Sequence, residues 1–165
     1  MKKVAIVMGS RSDWDTVRAA AVQLKKLEIP FEARIISAHR TPEQASEFAL
    51  GARENEFGVI IAAAGMAAHL AGAMAANTTL PIIALPLRGG ALDGLDALLS
   101  CVQMPPGMPV ATVAIAGAKN AAVLAAQMLA IDDKEVAERL ALERADTASA
   151  IAQADAELQH EIEAL

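Results

Sequence analysis

Short apolar runs alternate with longer stretches of helical periodicity along this chain. Lys3–Met8 (KVAIVM) is apolar at successive positions and stops at Gly9, the pattern of a buried strand followed by a turn. Val17, Ala20, Ala21, Leu24 and Leu27 then recur at helical intervals until Pro30, and Ser12 with Asp15 has the spacing of a capping box ahead of them. Phe31–Ile36 repeats the strand pattern. Thr41, Pro42 and Gln44 supply an N-cap, a first-turn proline and a reciprocal capping side chain for a helix running to about Asn55. Gly58–Ala63, Leu80–Leu85 and Val110–Ile115 complete a set of five strands. Helices are predicted over Ala67–Asn77, near Leu95–Val102 and over Lys119–Leu129, and the final stretch, Asp132–Leu165, is polar and helical.

This alternation implies βαβ units and therefore a parallel sheet covered by helices on both faces. The expected architecture is a flavodoxin-like three-layer α/β sandwich with strand order 2-1-3-4-5. Residues 1–165 would form one domain, with a core at about 3–130 and a helical extension at about 132–165 used in assembly. At 165 residues such a fold can bury about 70% of its unfolded surface. Ligands in these folds sit at the carboxyl ends of the strands. That directs attention to four loops: Gly9–Asp13, Ser37–Thr41, Ala64–His69 and Leu87–Asp93.

Composition narrows the partners. With 55% apolar and 21% charged residues, disorder and fibrous repeats are excluded. A formal charge of -6, no Tyr, one Trp and three Phe argue against nucleic acid, which needs basic patches and stacking platforms. The longest apolar tract, Val59–Ala76, is interrupted by Gly65, His69 and Gly72, so no membrane span is expected. Cys101 has no cysteine to pair with, and Met1 leads directly into a strand without a signal-like layout; a cytoplasmic protein is expected. No group of residues has metal-ligand spacing, so no metal is expected. Cys101 reads as a small core residue and His160 as a solvated helix residue.

The loops carry the chemistry. Gly9-Ser10-Arg11-Ser12-Asp13 has neither a dinucleotide fingerprint nor a P-loop, but offers hydroxyls at a helix start where free amides favour a phosphate or carboxylate. The alternative is that Ser12 only caps and Asp13 only complements the helix dipole. In Ser37-Ala38-His39-Arg40-Thr41-Pro42, Arg40 presents a fork for an anion and His39 an imidazole suited to proton transfer. A loop histidine can equally be a structural hydrogen-bonding residue. In Ala64-Gly65-Met66-Ala67-Ala68-His69-Leu70, small residues would let a planar ligand approach the backbone, or would simply serve tight packing.

Taken together, Gly9-Ser10-Arg11-Ser12-Asp13-Trp14, the Ser37–Pro42 run, Ala67-Ala68-His69-Leu70 and Leu99-Ser100-Cys101-Val102-Gln103-Met104-Pro105 resemble the N5-carboxyaminoimidazole ribonucleotide mutase family of purine biosynthesis. The resemblance runs in order from about Lys3 through Lys119-Asn120-Ala121-Ala122. It implies a cofactor-free isomerase that moves a carboxylate from the exocyclic nitrogen of an aminoimidazole ribonucleotide monophosphate to ring C4. His39 would be the catalytic proton carrier and His69 the second active-site histidine. Ser10 and Asp13 would contact substrate, Asp13 through ribose hydroxyls, while Ser37 and Arg40 would hold the phosphate. Gly65, Ala67 and Ala68 would wall the imidazole and carboxylate, and Gly9, Ser12 and Leu70 complete the implied binding set. The resemblance also implies a homo-octamer in which neighbouring subunits complete each site. Ala63, Met66, Ala71 and Ala73 stand where the family pattern has Gly, Gly, Pro and Met. Two alternatives are a related carboxylase that uses CO2 directly and, from another class, a flavodoxin-like nucleotide-binding module. The scarcity of aromatic residues weighs against a flavin in the latter.

Overall fold

The computed structural model describes residues 1–165. In chain order the elements are β1 (Lys3–Met8), a 3-10 turn (Arg11–Asp13), α1 (Trp14–Lys26), β2 (Phe31–Ile35), α2 (Pro42–Gly51), β3 (Phe57–Gly65) and α3 (Leu70–Ala75). They continue with β4 (Ile82–Leu87), α4 (Leu95–Val102), β5 (Ala111–Thr112), α5 (Ala118–Leu129) and α6 (Lys134–Glu163). The strands form one parallel sheet in the order β2-β1-β3-β4-β5, as the alternation predicts.

The period of two in the strands sorts the core into two layers. Val4, Ile6, Met8, Val59, Ile61, Ile83 and Leu85 face α1 and α5, meeting Val17, Leu24, Ala121 and Ala125. Ala5, Val7, Ile60, Ala62, Ile82 and Ala84 face the other way, against Ala45, Ala49, Met74, Ala97 and Cys101 of α2, α3 and α4. Cys101 is thus a core residue as expected, and burial pushes its thiol up to about 11. β1, β3 and β4 are buried, whereas β2 is an edge strand with Glu32, Ala33, Arg34 and Ile35 exposed.

Several expected boundaries shift for physical reasons. β3 reaches Gly65 because it pairs with β4 up to Gly65 opposite Leu87, so α3 begins at Leu70 rather than Ala67. β5 pairs only at Ala111 and Thr112 instead of over Val110–Ile115. Pro86 explains this: its carbonyl accepts from Ala116, so its missing N–H lies on the side facing β5, where the ladder stops. α2 ends at Gly51, and turns carry the chain to β3.

α6 is a 30-residue rod, about 45 Å long, with Val136 its one buried residue. Asp133 caps its start by accepting from the Val136 amide at 3.2 Å. Glu143 then fastens it to α1 and α5. Its carboxylate accepts from Gln23 at 2.7 Å and Lys26 at 3.1 Å and lies 3.6 Å from Lys119. Burial alone would raise that carboxyl; the bonds from Lys26 and Gln23 and the charges of Lys26 and Lys119 outweigh it and hold the group below its ordinary value. His160 lies farther out, exposed and 3.8 Å from Glu163. No helix is long and apolar enough to cross a membrane.

Candidate active site

Four strands of the sheet end side by side, and the loops that follow β1, β2, β3 and β4 surround one cleft of about 490 Å3. At the end of β1, Ser10 is extended (φ -151°, ψ 157°) and caps the 3-10 turn. Its hydroxyl accepts from the Ser12 amide at 3.4 Å, and the Asp13 carboxylate accepts from the Ser10 amide at 2.9 Å. The capping box is therefore Ser10 with Asp13, not Ser12 with Asp15. The intervening 3-10 turn moves the cap two residues towards Gly9 and brings the Asp13 carboxylate back to the loop. Ser12 instead shares a hydroxyl hydrogen bond with Ser10 at 2.9 Å.

At the end of β2, Thr41 folds the loop back on itself. Its hydroxyl accepts from the Ser37 amide and donates to the Ser37 carbonyl, each at 3.0 Å, so no side-chain cap forms with Gln44 at the start of α2. Arg40 then joins two loops, donating to the Gly9 carbonyl at 2.9 Å and, through Nε, to the Ser37 hydroxyl at 3.4 Å. The guanidinium is thereby fixed beside Asp13. Burial raises the Asp13 carboxyl above its ordinary value, opposed by the Ser10 and Gly9 amides and by the Arg40 charge.

The loop after β3 brings the two histidines together. His39 Nε2 and His69 Nδ1 are 2.8 Å apart, with the rings nearly perpendicular at 85° and their centroids 5.0 Å apart. One nitrogen of that pair must carry a proton and the other a lone pair. His69 is placed by a tight turn, its amide donating to the Ala67 carbonyl at 2.8 Å, and its carbonyl starts α3 by accepting from Ala73. The preceding Met66 adopts a left-handed backbone, φ 50°.

Of the residues singled out in the sequence, Gly9, Ser10, Ser12, Asp13, Ser37, His39, Arg40, Gly65, Ala67, His69 and Leu70 all line the cleft. Ala68 does not. It is 1% exposed beneath the wall, packs into the α2–α3–α4 core layer, and its carbonyl faces the Cys101 thiol at 3.8 Å. The Leu87–Asp93 loop, expected at the site from its place after a strand, contributes Arg88, Gly89 and Gly90, residues to which the sequence assigns no individual role. Their available signal was position: a cation and two glycines directly after a buried strand. A larger depression of about 750 Å3 opens at the amino-terminal end of β4, around Arg53, Glu54, Asn77 and Met108, but holds no histidine. No group of three or more His, Cys, Asp or Glu side chains gathers anywhere to hold a metal ion.

Fold and cleft define a parallel α/β protein whose polar site is built at the carboxyl ends of its strands. A family model described as AIR carboxylase matches residues 3–150, and the chain belongs to that family. It is 57% identical over 139 residues to the N5-carboxyaminoimidazole ribonucleotide mutase of Brucella melitensis, covering 83% of this chain and 86% of the relative. It is 53% identical over 146 residues to the Pyrococcus abyssi mutase of the same name, covering 88% and 84%. Among solved structures, Treponema denticola PurE superposes with a TM-score of 0.86 at 31% identity, covering 94% of this chain and 97% of that one.

Proposed function

We propose that this chain is an isomerase of purine (IMP) biosynthesis, converting N5-carboxyaminoimidazole ribonucleotide to 4-carboxy-5-aminoimidazole ribonucleotide. The observation that carries the reading is the bonded His39–His69 pair in one cleft with the Arg40 fork and the Asp13 carboxylate. Arg40 and Ser37 take the phosphate and Asp13 the ribose hydroxyls, leaving the imidazole over Gly65 and Ala67 beside the histidines. As the carbamate C–N bond breaks, protonated His39 gives its proton to the exocyclic nitrogen, forming aminoimidazole ribonucleotide and CO2. Ring C4 attacks the confined CO2, and neutral His39 then removes the C4 proton, so protons and carbon balance over the cycle. His69 orients the His39 ring through the shared hydrogen bond. Proximity, proton transfer and exclusion of water supply the catalysis, with no cofactor.

The test is direct: purified protein is given the carbamate without added bicarbonate or ATP, and the C4-carboxylated product is followed. Product at enzymatic rates supports the reading, and its absence overturns it. Direct carboxylation of aminoimidazole ribonucleotide is the second reading, favoured by one observation, the Met66 side chain at the rim of the cleft. Labelled bicarbonate separates the two, since a mutase that retains its CO2 incorporates little label while a carboxylase incorporates it fully.

Residues 1–165 act as one α/β unit in a cytoplasmic homo-octamer, with α6 as the assembly element. Supporting this, Leu142, Ile151, Leu158 and Ile162 of α6 are exposed on a helix that only its first turns anchor. A fully active monomer in light scattering would overturn it.

A further inference from the structure

Arg40 and Arg88 stand on opposite sides of the same cleft. Arg40 follows β2 and Arg88 follows β4, three strand positions apart in the order β2-β1-β3-β4, or about 14 Å at the usual strand spacing. The histidines belong to the loops after β2 and β3. Arg40 is bound to Gly9 and Ser37, whereas the one side-chain partner of Arg88 is Asp93 of its own loop, at 2.7 Å. Both members of that pair are largely exposed, at 65% and 68%, so it is weak and readily exchanged for another carboxylate.

The backbone of Arg88 is also held against the wall that faces the reacting ring. Gly65 pairs with Leu87 across the sheet, and a Cβ on Gly65 would stand 3.8 Å from the Arg88 carbonyl oxygen. Gly94, at φ 95°, closes the loop where a Cβ would lie 3.4 Å from the Arg88 Cα and 2.7 Å from Ile115. Gly90, at φ 65°, lets the loop pass Met66, whose Cγ would lie 3.1 Å from a Cβ there. The Arg88 guanidinium therefore starts from a fixed point beside Gly65 and reaches into the cleft from the side away from Arg40.

We infer that Arg88 binds the migrating carboxylate, exchanging Asp93 for it, while Arg40 binds the phosphate at the other end. The assignment rests on the function proposed above. It also gives the site a means of telling carboxylated from uncarboxylated ribonucleotide, since a guanidinium recognises a planar carboxylate through two parallel hydrogen bonds.

The experiment is calorimetric titration of the parent and Arg88→Ala with two ligands that share the phosphoribosyl group: the C4-carboxylated ribonucleotide and the aminoimidazole ribonucleotide lacking the carboxylate. Arg88 is exposed, so the variant should fold, and equal melting temperatures will verify it. The expected result is a loss of about tenfold to a hundredfold in affinity for the carboxylated ligand, with affinity for the other within about twofold. Equal losses for both ligands would make Arg88 a phosphate contact, and no loss for either would make it a bystander; each overturns the inference. A parent protein that binds neither ligand would instead overturn the proposed function, and this inference with it.

Discussion

Asp13→Asn separates what the fold asks of this carboxylate from what a ligand asks of it. Asn keeps the size and an oxygen to accept the Ser10 amide now held at 2.9 Å, so the cap survives and only the charge goes. Burial raises the Asp13 carboxyl in the folded chain, meaning that the folded state binds the proton more tightly than the unfolded state. Stability from this group therefore falls as pH rises from the ordinary carboxylate range through the raised value, and above it the charge is a net cost. Because the group is partly exposed, solvent screening keeps that cost small. Asp13→Asn should melt at the same temperature as the parent at neutral pH or a few degrees higher, about 2–4 °C per kcal/mol for a chain of this size. Ligand binding should move the other way. Ribose hydroxyls donating to a carboxylate contribute about 1.5–3 kcal/mol, so the variant should bind aminoimidazole ribonucleotide about tenfold to a hundredfold more weakly. Those same donors favour the ionised form. Parent affinity should therefore rise with pH as the free carboxyl titrates and then level off, while the variant lacks that step. Calorimetric titrations from mildly acidic to neutral pH, beside thermal melts, read both effects. Unchanged affinity with an unchanged pH profile, or a destabilisation of several kcal/mol, would refute the reasoning.

His39→Asn should retain ligand affinity and melting temperature while turnover falls about 10²–10⁴-fold; steady-state rates near those of the parent would remove the histidine from proton transfer. Arg40→Ala should chiefly weaken ribonucleotide binding, because the guanidinium that joins the Gly9 and Ser37 loops is lost, and Trp14, at the start of α1 just beyond Asp13, offers a fluorescence readout. Superimposable titration curves would show that Arg40 does not hold the phosphate. Glu143→Gln should cost about 1.5 kcal/mol at neutral pH. The lowered folded-state value means that this stability is present above the unfolded carboxyl value and is lost as pH falls through the folded one, so the variant's melting curve should be flatter on the acid side. Parallel pH profiles would contradict that assignment.

The layering of the fold was legible because β1, β3 and β4 are written as uninterrupted apolar runs, which only strands covered on both faces tolerate. The caps were not. Ser10 and Ser12 both precede acidic residues at the required spacing, and the choice between them depends on a 3-10 turn that periodicity does not encode. Thr41 looked like a cap by residue type, yet its hydroxyl is taken by the backbone of Ser37. Ala68 shows a similar limit, since on a turn of small residues one position separates the cleft wall from the core. The meeting of His39 and His69 required three-dimensional information: the two residues are 30 positions apart, and their loops follow β2 and β3, which flank β1, and meet across its carboxyl end.

Met66 is the departure from the family pattern that touches the cleft, and its neighbours show how it is accommodated. A left-handed backbone at a residue with a side chain costs roughly 1 kcal/mol, a cost that glycine would avoid. Met66 is 59% exposed, and its Cγ and Sδ lie against Gly90, 3.1 and 3.4 Å from where a Cβ there would stand. The bulk added to the loop after β3 is thus matched by bulk missing from the loop after β4. Gly65 and Ala67, the small residues on either side of Met66, also line the cleft. The thioether adds apolar surface to the cleft lining beside Gly90. In this geometry the substitution changes how the third and fourth loops meet, while His39 and His69 remain hydrogen-bonded and Arg40 remains tied to Gly9 and Ser37.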